Sequence, residues 1–219
     1  MPAWVPPVAR YMAQGLEATL LLALACSLAS VALGTVLGIA ITGELPLLRR
    51  VVRLYIELWR GLPLILILFF AFFALPAAGV RLDPLEAAGT GLTLWGSAVV
   101  ADNVRGAILS IPRAQREGAL ALGLGWLATM RHVVLPQALR RVLPPTLNLL
   151  TSLIHGTSLA AQLGALELLE SARRSIQRLV LEAGQPHSLP IYGAVMVVFF
   201  LICYPLVLLS RWLERRLKV

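Results

Sequence analysis

"ATLLLALACSLASVALGTVLGIAITG", residues 18–43, runs for 26 positions without a charged side chain. An α-helix rises about 1.5 Å per residue, so roughly 20 apolar residues cross the ~30 Å of bilayer hydrocarbon. Further along the chain the pattern recurs. Residues 61–80 carry no charge between Arg60 and Arg81, 142–166 hold only the titratable His155, and 183–210 only His187. Residues 87–101 are shorter, and continuing past Asp102 and Asn103 towards Arg105 gives a fifth segment. Hydrophobic residues make up 58% of the 219 and charged ones 14%, too few charges to cover a soluble surface. A membrane β-barrel is excluded, because it would show short alternating segments. The expectation is an all-α integral membrane protein with five transmembrane helices, at about 16–42, 54–75, 87–110, 144–166 and 189–210, in one domain over 1–219.

The net charge of +8 invites a nucleic-acid partner, and its distribution argues against one. With the N-terminus outside and five crossings, the inner segments hold Arg49, Arg50, Arg53 and Arg60, then Arg105, Arg113, Arg116, Arg131, Arg140 and Arg141, then Arg211, Arg215, Arg216 and Lys218. These are 14 of the 19 basic residues; Arg10, Arg81, Arg173, Arg174 and Arg178 stay outside. Such a bias follows the positive-inside rule and predicts N-out, C-in. Cys26 and Cys203 lie within apolar spans, so no disulfide framework is implied. "LLALAC", residues 21–26, has some look of a lipoprotein signal, but the apolar run continues well beyond Cys26, as a first transmembrane helix requires.

Residues 1–15, with three prolines, Trp4 and Tyr11, are expected to form an outer-surface lead-in. Ser30, Gly34 and Gly38 repeat at four-residue intervals, a small-residue stripe for close helix packing. "EGALALGLGWLATMRHVVLPQ", residues 117–137, is too broken to cross a bilayer. Ser110 and Pro112 suit a cap and first turn, and a short helix follows through Leu122. Gly123 and Gly125 bracket a bend, and a second helix runs from Trp126 until Pro136 stops it. The result is a compact knob over 112–135 with leucines crowding its bend, which calls for a partner or for cover.

Glu117, Gly118 and Ala119, then three residues to Gly123, nine more to Val133, and Leu135-Pro136 two positions on, resemble the EAA motif of ABC importer permeases. Gly118 stands where that family usually has alanine. The resemblance extends along the chain through "YIELWRGLPLILILFF" (55–70), "VVADNVRGAILSIPRAQREGALALG" (99–123), "VVLPQALRRVLPP" (133–145), "GTSLAAQLGALELLESA" (156–172) and "LERRLKV" (213–219). Within the family it points to the permeases for polar amino acids, of the histidine, glutamate and glutamine type.

That resemblance implies a type I importer permease fold in the bacterial inner membrane, multi-pass. It implies two ATPase subunits that bind the ATP and Mg, a second permease subunit, identical or not, and an extracytoplasmic amino-acid-binding protein. Residues 112–135 would be the coupling helices, with Glu117, Gly118, Ala119, Gly123, Leu135 and Pro136 carrying the contact to the ATPase. This chain needs no cofactor of its own. Its only lysine is Lys218, so no Gly-x-x-x-x-Gly-Lys phosphate loop exists and energy must come from another polypeptide.

Other candidates carry a bland reading beside the functional one. Arg60, Gly61 and Pro63 are an interfacial anchor with a helix start, or a joint that moves with the coupling loop. Asp102 and Arg105, three apart, form a local ion pair or a gate contact. Ser152, His155, Thr157, Ser158 and Gln162 either bond between helices or line a substrate path, with His155-Gly156 breaking the helix near the midplane. The family commonly has Lys-Asp-Thr-Ser-Leu where this chain has His155-Gly156-Thr157-Ser158-Leu159, and the missing acid speaks against a cationic cargo. No metal site is expected. An intramembrane enzyme is the competing class: it would use Asp102, His155 and Ser158, but no second intramembrane aspartate or metal motif accompanies them. A permease for another small polar solute, such as an amino-acid derivative, opine or osmolyte, is the nearer alternative.

Overall fold

The structure is a computed structural model and describes residues 2–217, which form helices with no strand among them. Nine α-helices follow in order: α1 (Val5–Ala40), α2 (Pro46–Gly61), α3 (Leu64–Phe69), α4 (Pro84–Leu109), α5 (Arg113–Ala121), α6 (Trp126–Thr129), α7 (Leu135–Thr157), α8 (Leu168–Ala183) and α9 (Ser188–Leu217). Two of them, α1 and α9, are long and apolar enough to cross a membrane unaided. Two bent pairs, Pro46–Gly61 with Leu64–Ala78 and Trp126–Leu163 with Leu168–Glu182, bring the number to as many as four. Helix α4 occupies the remaining expected place. Its 26 residues reach about 39 Å, but Glu86, Asp102, Arg105, four glycines, two threonines and Ser97 lower its hydropathy. Ala87, Ala88, Leu92, Ala98 and Ala101 of α4 are fully buried, so protein rather than lipid surrounds much of it.

Several boundaries depart from expectation. Helix α1 begins at Val5, ahead of the first span expected from about 16, so the lead-in is largely helical. Pro6 and Pro7 sit in its first turn, where a missing N–H costs nothing. The span expected over 54–75 is interrupted. Leu62 lies outside the helix before a proline, which disfavours helical angles in the residue ahead of it, and Pro63 takes φ −58°, ψ 130° before the chain restarts as α3. Pro136 does not stop the second loop helix. The chain widens into a π turn over Met130–Val134 and continues as α7 through Pro144 and Pro145. A π turn loosens the backbone where the Pro136 ring would otherwise strike the carbonyl four residues back. Gln137 compensates there by donating its side-chain amide to the Val133 carbonyl at 2.7 Å. Helix α9 runs on to Leu217, through most of the basic tail.

Two compact units emerge from the chain's contacts. The first comprises Met1–Leu28, Leu62–Thr93 and Leu150–Pro205. One of its cores joins Val8 and Met12 of α1 to Leu168, Ala172 and Leu179 of α8 and to Ile191 and Val195 of α9. A Cβ on Gly15 would lie 2.5 Å from the Ser171 hydroxyl and 2.6 Å from the Glu167 carbonyl, so only glycine lets α1 approach this closely. A second core sets Leu68 and Ala71 against Ala87 and Ala88 of α4 and Ala160 and Leu163. Glu167 is fully buried at the start of α8, where its carboxylate accepts the Glu170 N–H at 2.7 Å.

The second unit comprises Ala29–Gly61, Leu94–Leu149 and Leu206–Val219. The Ser30-Gly34-Gly38 stripe packs α1 against α4 as the spacing predicts. A Cβ on Gly34 would meet the Ser97 carbonyl at 2.6 Å, and one on Gly38 the Ala101 carbonyl at 2.7 Å. Ile41, Val52, Ile56 and Ala101 close the core beside α2, and the Tyr55 hydroxyl bonds that of Ser97 at 2.7 Å.

Candidate coupling surface and polar helix face

Helix α5 begins after Pro112, whose φ of −53° and ψ of 136° place it outside the helix. Ser110 does not cap it. Its hydroxyl donates back to the Ala107 carbonyl at 2.7 Å and accepts from Arg141. At the other end the Gly123 N–H reaches the Leu120 carbonyl at 2.9 Å, and the Leu124 N–H reaches that of Ala119 at 3.1 Å. This pair of bonds is a Schellman motif, and it requires the residue after the helix to be left-handed. Gly123 has φ +80°, which glycine adopts without strain. Gly125 then caps α6 with extended backbone, and its carbonyl accepts the Thr129 N–H at 2.9 Å.

The bend exposes apolar side chains. Leu122 is 83% exposed and Leu127 72%, with Leu120 and Trp126 also open and Glu117 exposed on the same short helix. Ala119 turns inward and is buried. Gly118 is exposed with nothing within 4 Å of a Cβ position, so the departure from alanine there creates no gap. Leu135 is half-buried and Pro136 exposed.

Polar bonds hold this knob to the helices beside it. Arg116 donates to the Ile108 carbonyl at the end of α4. Arg141 of α7 donates to the Ser110 carbonyl at 2.8 Å and to its hydroxyl at 2.6 Å. Gln137 of α7 donates to Gln115 of α5. In the sequence Ser110 reads as a helix cap and Arg116 and Arg141 as inner-side charge, while nothing there singles out Gln115 or Gln137.

Asp102 pairs with Arg105 within α4, at 2.9 and 3.1 Å, and also with Arg60 of α2. The expected local pair is therefore present, and Arg60 joins it just ahead of the Gly61-Pro63 break. All three side chains are partly exposed.

The polar set expected in the fourth span divides. Ser152, His155 and Gln162 are exposed. Thr157 is fully buried and donates to the Ile154 carbonyl at 2.7 Å, and Ser158 turns back to that of His155 at 2.7 Å. The helix does not break at His155-Gly156. It continues to Thr157 and then tightens to a 3-10 form over Ser158–Leu163. Gly156 is there for contact: its Cβ would come 2.8 Å from Leu92 and 3.3 Å from Leu64. The His155 ring tilts over Phe199 with centroids 6.3 Å apart.

Residues 30–219 match the family model described as "Binding-protein-dependent transport system inner membrane component". The chain belongs to that family. Among its relatives, the "Glutamine transport system permease protein GlnP" of Escherichia coli is 35% identical over 97% of this chain and 95% of its own. The "L-cystine transport system permease protein TcyB" of Bacillus subtilis is 36% identical over 78% of this chain and 70% of its own. Of solved structures, one titled "Crystal structure of an amino acid ABC transporter with histidines" superposes with a TM-score of 0.84 at 24% identity, covering 95% of this chain and 94% of that one. A chain of the inward-facing MetNI methionine ABC transporter superposes at 0.78 with 20% identity, covering 97% and 98%. These superpositions show that the chain shares its all-helical fold with those transporter chains.

Proposed function

We propose that this transport-system component is one membrane half of an ATP-driven importer of polar amino acids. The observation that carries the reading is the exposed tip of Leu120, Leu122 and Leu127 beside Glu117, on a knob pinned by Arg116, Gln137 and Arg141. An apolar patch facing water requires a partner. Two ATPase subunits, which hold the ATP and Mg, are that partner for two permease copies, identical or paired as different chains. Glu117 supplies an exposed carboxylate that can accept hydrogen bonds across the contact.

The orientation follows from charge. Thirteen arginines fall in the second unit and the other five in the first, the same partition that the positive-inside rule makes of the sequence. The termini then lie N-out, C-in, with α4 completing five crossings. Closure of the ATPase pair draws the two knobs together, and α4 and α7 move with them because Arg116 and Arg141 bind the knob to both. Substrate delivered by an extracytoplasmic binding protein biases the switch only through its different affinities for the two states. Ser152, His155 and Gln162 present hydroxyl, imidazole and amide along the path and no carboxylate, which suits an amino acid with a neutral polar side chain.

The test is ATPase stimulation by the loaded binding protein in the reconstituted complex. Glu117→Lys is expected to abolish stimulation while the subunits still assemble. Undiminished coupling in that variant refutes the docking role, and uptake measured with a panel of amino acids and their derivatives decides the cargo.

A further inference from the structure

Helix α2 presents three faces, and the chain covers one. Val52 and Ile56 are buried against Ile41 and Ala101, with Tyr55 half-buried beside them. At 100° per residue, Leu47, Val51, Leu54 and Leu58 fall within about 60° of one another on a second face. They are 74, 58, 67 and 48% exposed. The third face carries Arg49, Arg50, Arg53, Glu57 and Arg60. Arg49 is bound to the Gly43 carbonyl at 2.8 Å and Arg60 to Asp102, while Arg50 and Arg53 stand exposed. Sixteen residues give about 24 Å of helix, short of the hydrocarbon thickness, and charges at five positions bar it from crossing alone.

We propose that α2 lies in the plane of the membrane surface and binds anionic phospholipid, with the Leu47-Val51-Leu54-Leu58 face among the acyl chains and Arg50 and Arg53 on the phosphates. The proposal rests on the chain's membership of an inner-membrane family, not on its cargo. An uncovered aliphatic face on a membrane protein meets lipid wherever no protein covers it. This stripe holds no polar atom with which a second chain could set a register. Its margin is cationic, and arginine stems run along an apolar surface while their heads rise to anions. A protein in that place would have to supply both an apolar groove and carboxylates for Arg50 and Arg53. Trp59 and Tyr55 on the same helix suit the interfacial level.

The experiment uses the full chain in nanodiscs of mixed phosphatidylcholine and phosphatidylglycerol, with a nitroxide on Leu54→Cys or Arg53→Cys in a background of Cys26→Ala and Cys203→Ala. Collisions with oxygen are expected to dominate at 54, and collisions with a water-soluble nickel chelate at 53. A label at 54 that the chelate reaches as readily as at 53 overturns the proposal. So does one immobilised and shielded from both reagents, the signature of a covering subunit. Affinity for phosphatidylglycerol is expected to fall roughly fivefold per arginine in Arg50→Gln and Arg53→Gln, and to persist in the lysine variants. Unchanged retention in the glutamine variants refutes the headgroup contact.

Discussion

Gly118 and Gly123 sit five residues apart in one short helix and its cap, and alanine at each should act in opposite directions. Gly123 holds φ +80° so that the Leu124 and Gly123 amides can close onto Ala119 and Leu120. An L-residue in that region costs ~1–2 kcal/mol, which is roughly a 5- to 30-fold loss in population of the closed bend. Gly118 lies inside α5 at helical angles, and the space around its Cβ position is empty. Alanine there removes the backbone entropy of glycine and stabilises the helix by ~0.5–1 kcal/mol. Hydrogen exchange on the full chain in nanodiscs, corrected for intrinsic rates, reads both effects at residues 119–124. Gly123→Ala should lower protection there about 5-fold or more, and Gly118→Ala should raise it a few-fold. If the knob works as a coupler, stimulated ATPase activity falls in the first variant and holds in the second. Equal protection in Gly123→Ala and the parent would refute the claim that the left-handed cap fixes the bend.

Arg141→Ala removes two bonds from Ser110 and should raise exchange across 108–112; hydrogen bonds to a charged group are worth ~1.5–3 kcal/mol, less here for partial exposure, and Arg141→Lys should recover part of it. A double-mutant cycle between Arg60 and Asp102 should give a coupling of only ~0.2–1 kcal/mol that fades in high salt, because both side chains reach solvent; thermal unfolding in detergent measures it. Gly34→Val drives a side chain into the Ser97 carbonyl and Val100, which overpacks the α1–α4 contact by ~1–3 kcal/mol or more and should sharply lower the yield of monodisperse protein. His155→Ala should raise the KM for uptake and leave basal ATPase activity unchanged; unaltered uptake removes His155 from the path.

The long charge-free runs, the arginine bias and the EAA spacing are written in order along the chain, because each depends on residues adjacent or one turn apart. Hydrophobic length alone dictates that 18–43 and 183–210 form helices in a bilayer, and a glycine six residues after Glu117 signals a bend without any coordinates. The Ser30-Gly34-Gly38 stripe announced a tight contact, though not its partner. What the sequence left undetermined depends on neighbours far along the chain or on local backbone relief. Pro136 reads as a stop, yet a π turn and the Gln137 amide carry the helix past it. Thr157 and Ser158 read as bonding between helices or lining a path, and only the fold shows them bonded to their own helix, with Ser152, His155 and Gln162 lying at the surface. The joining of Arg141 to Ser110 across 31 residues, and of Arg60 to Asp102 across 42, exists only because packing brings the helices side by side. Periodicity fixes which residues share a helix face; which face meets which is decided by the closest packing that small residues such as Gly15, Gly34 and Gly156 permit.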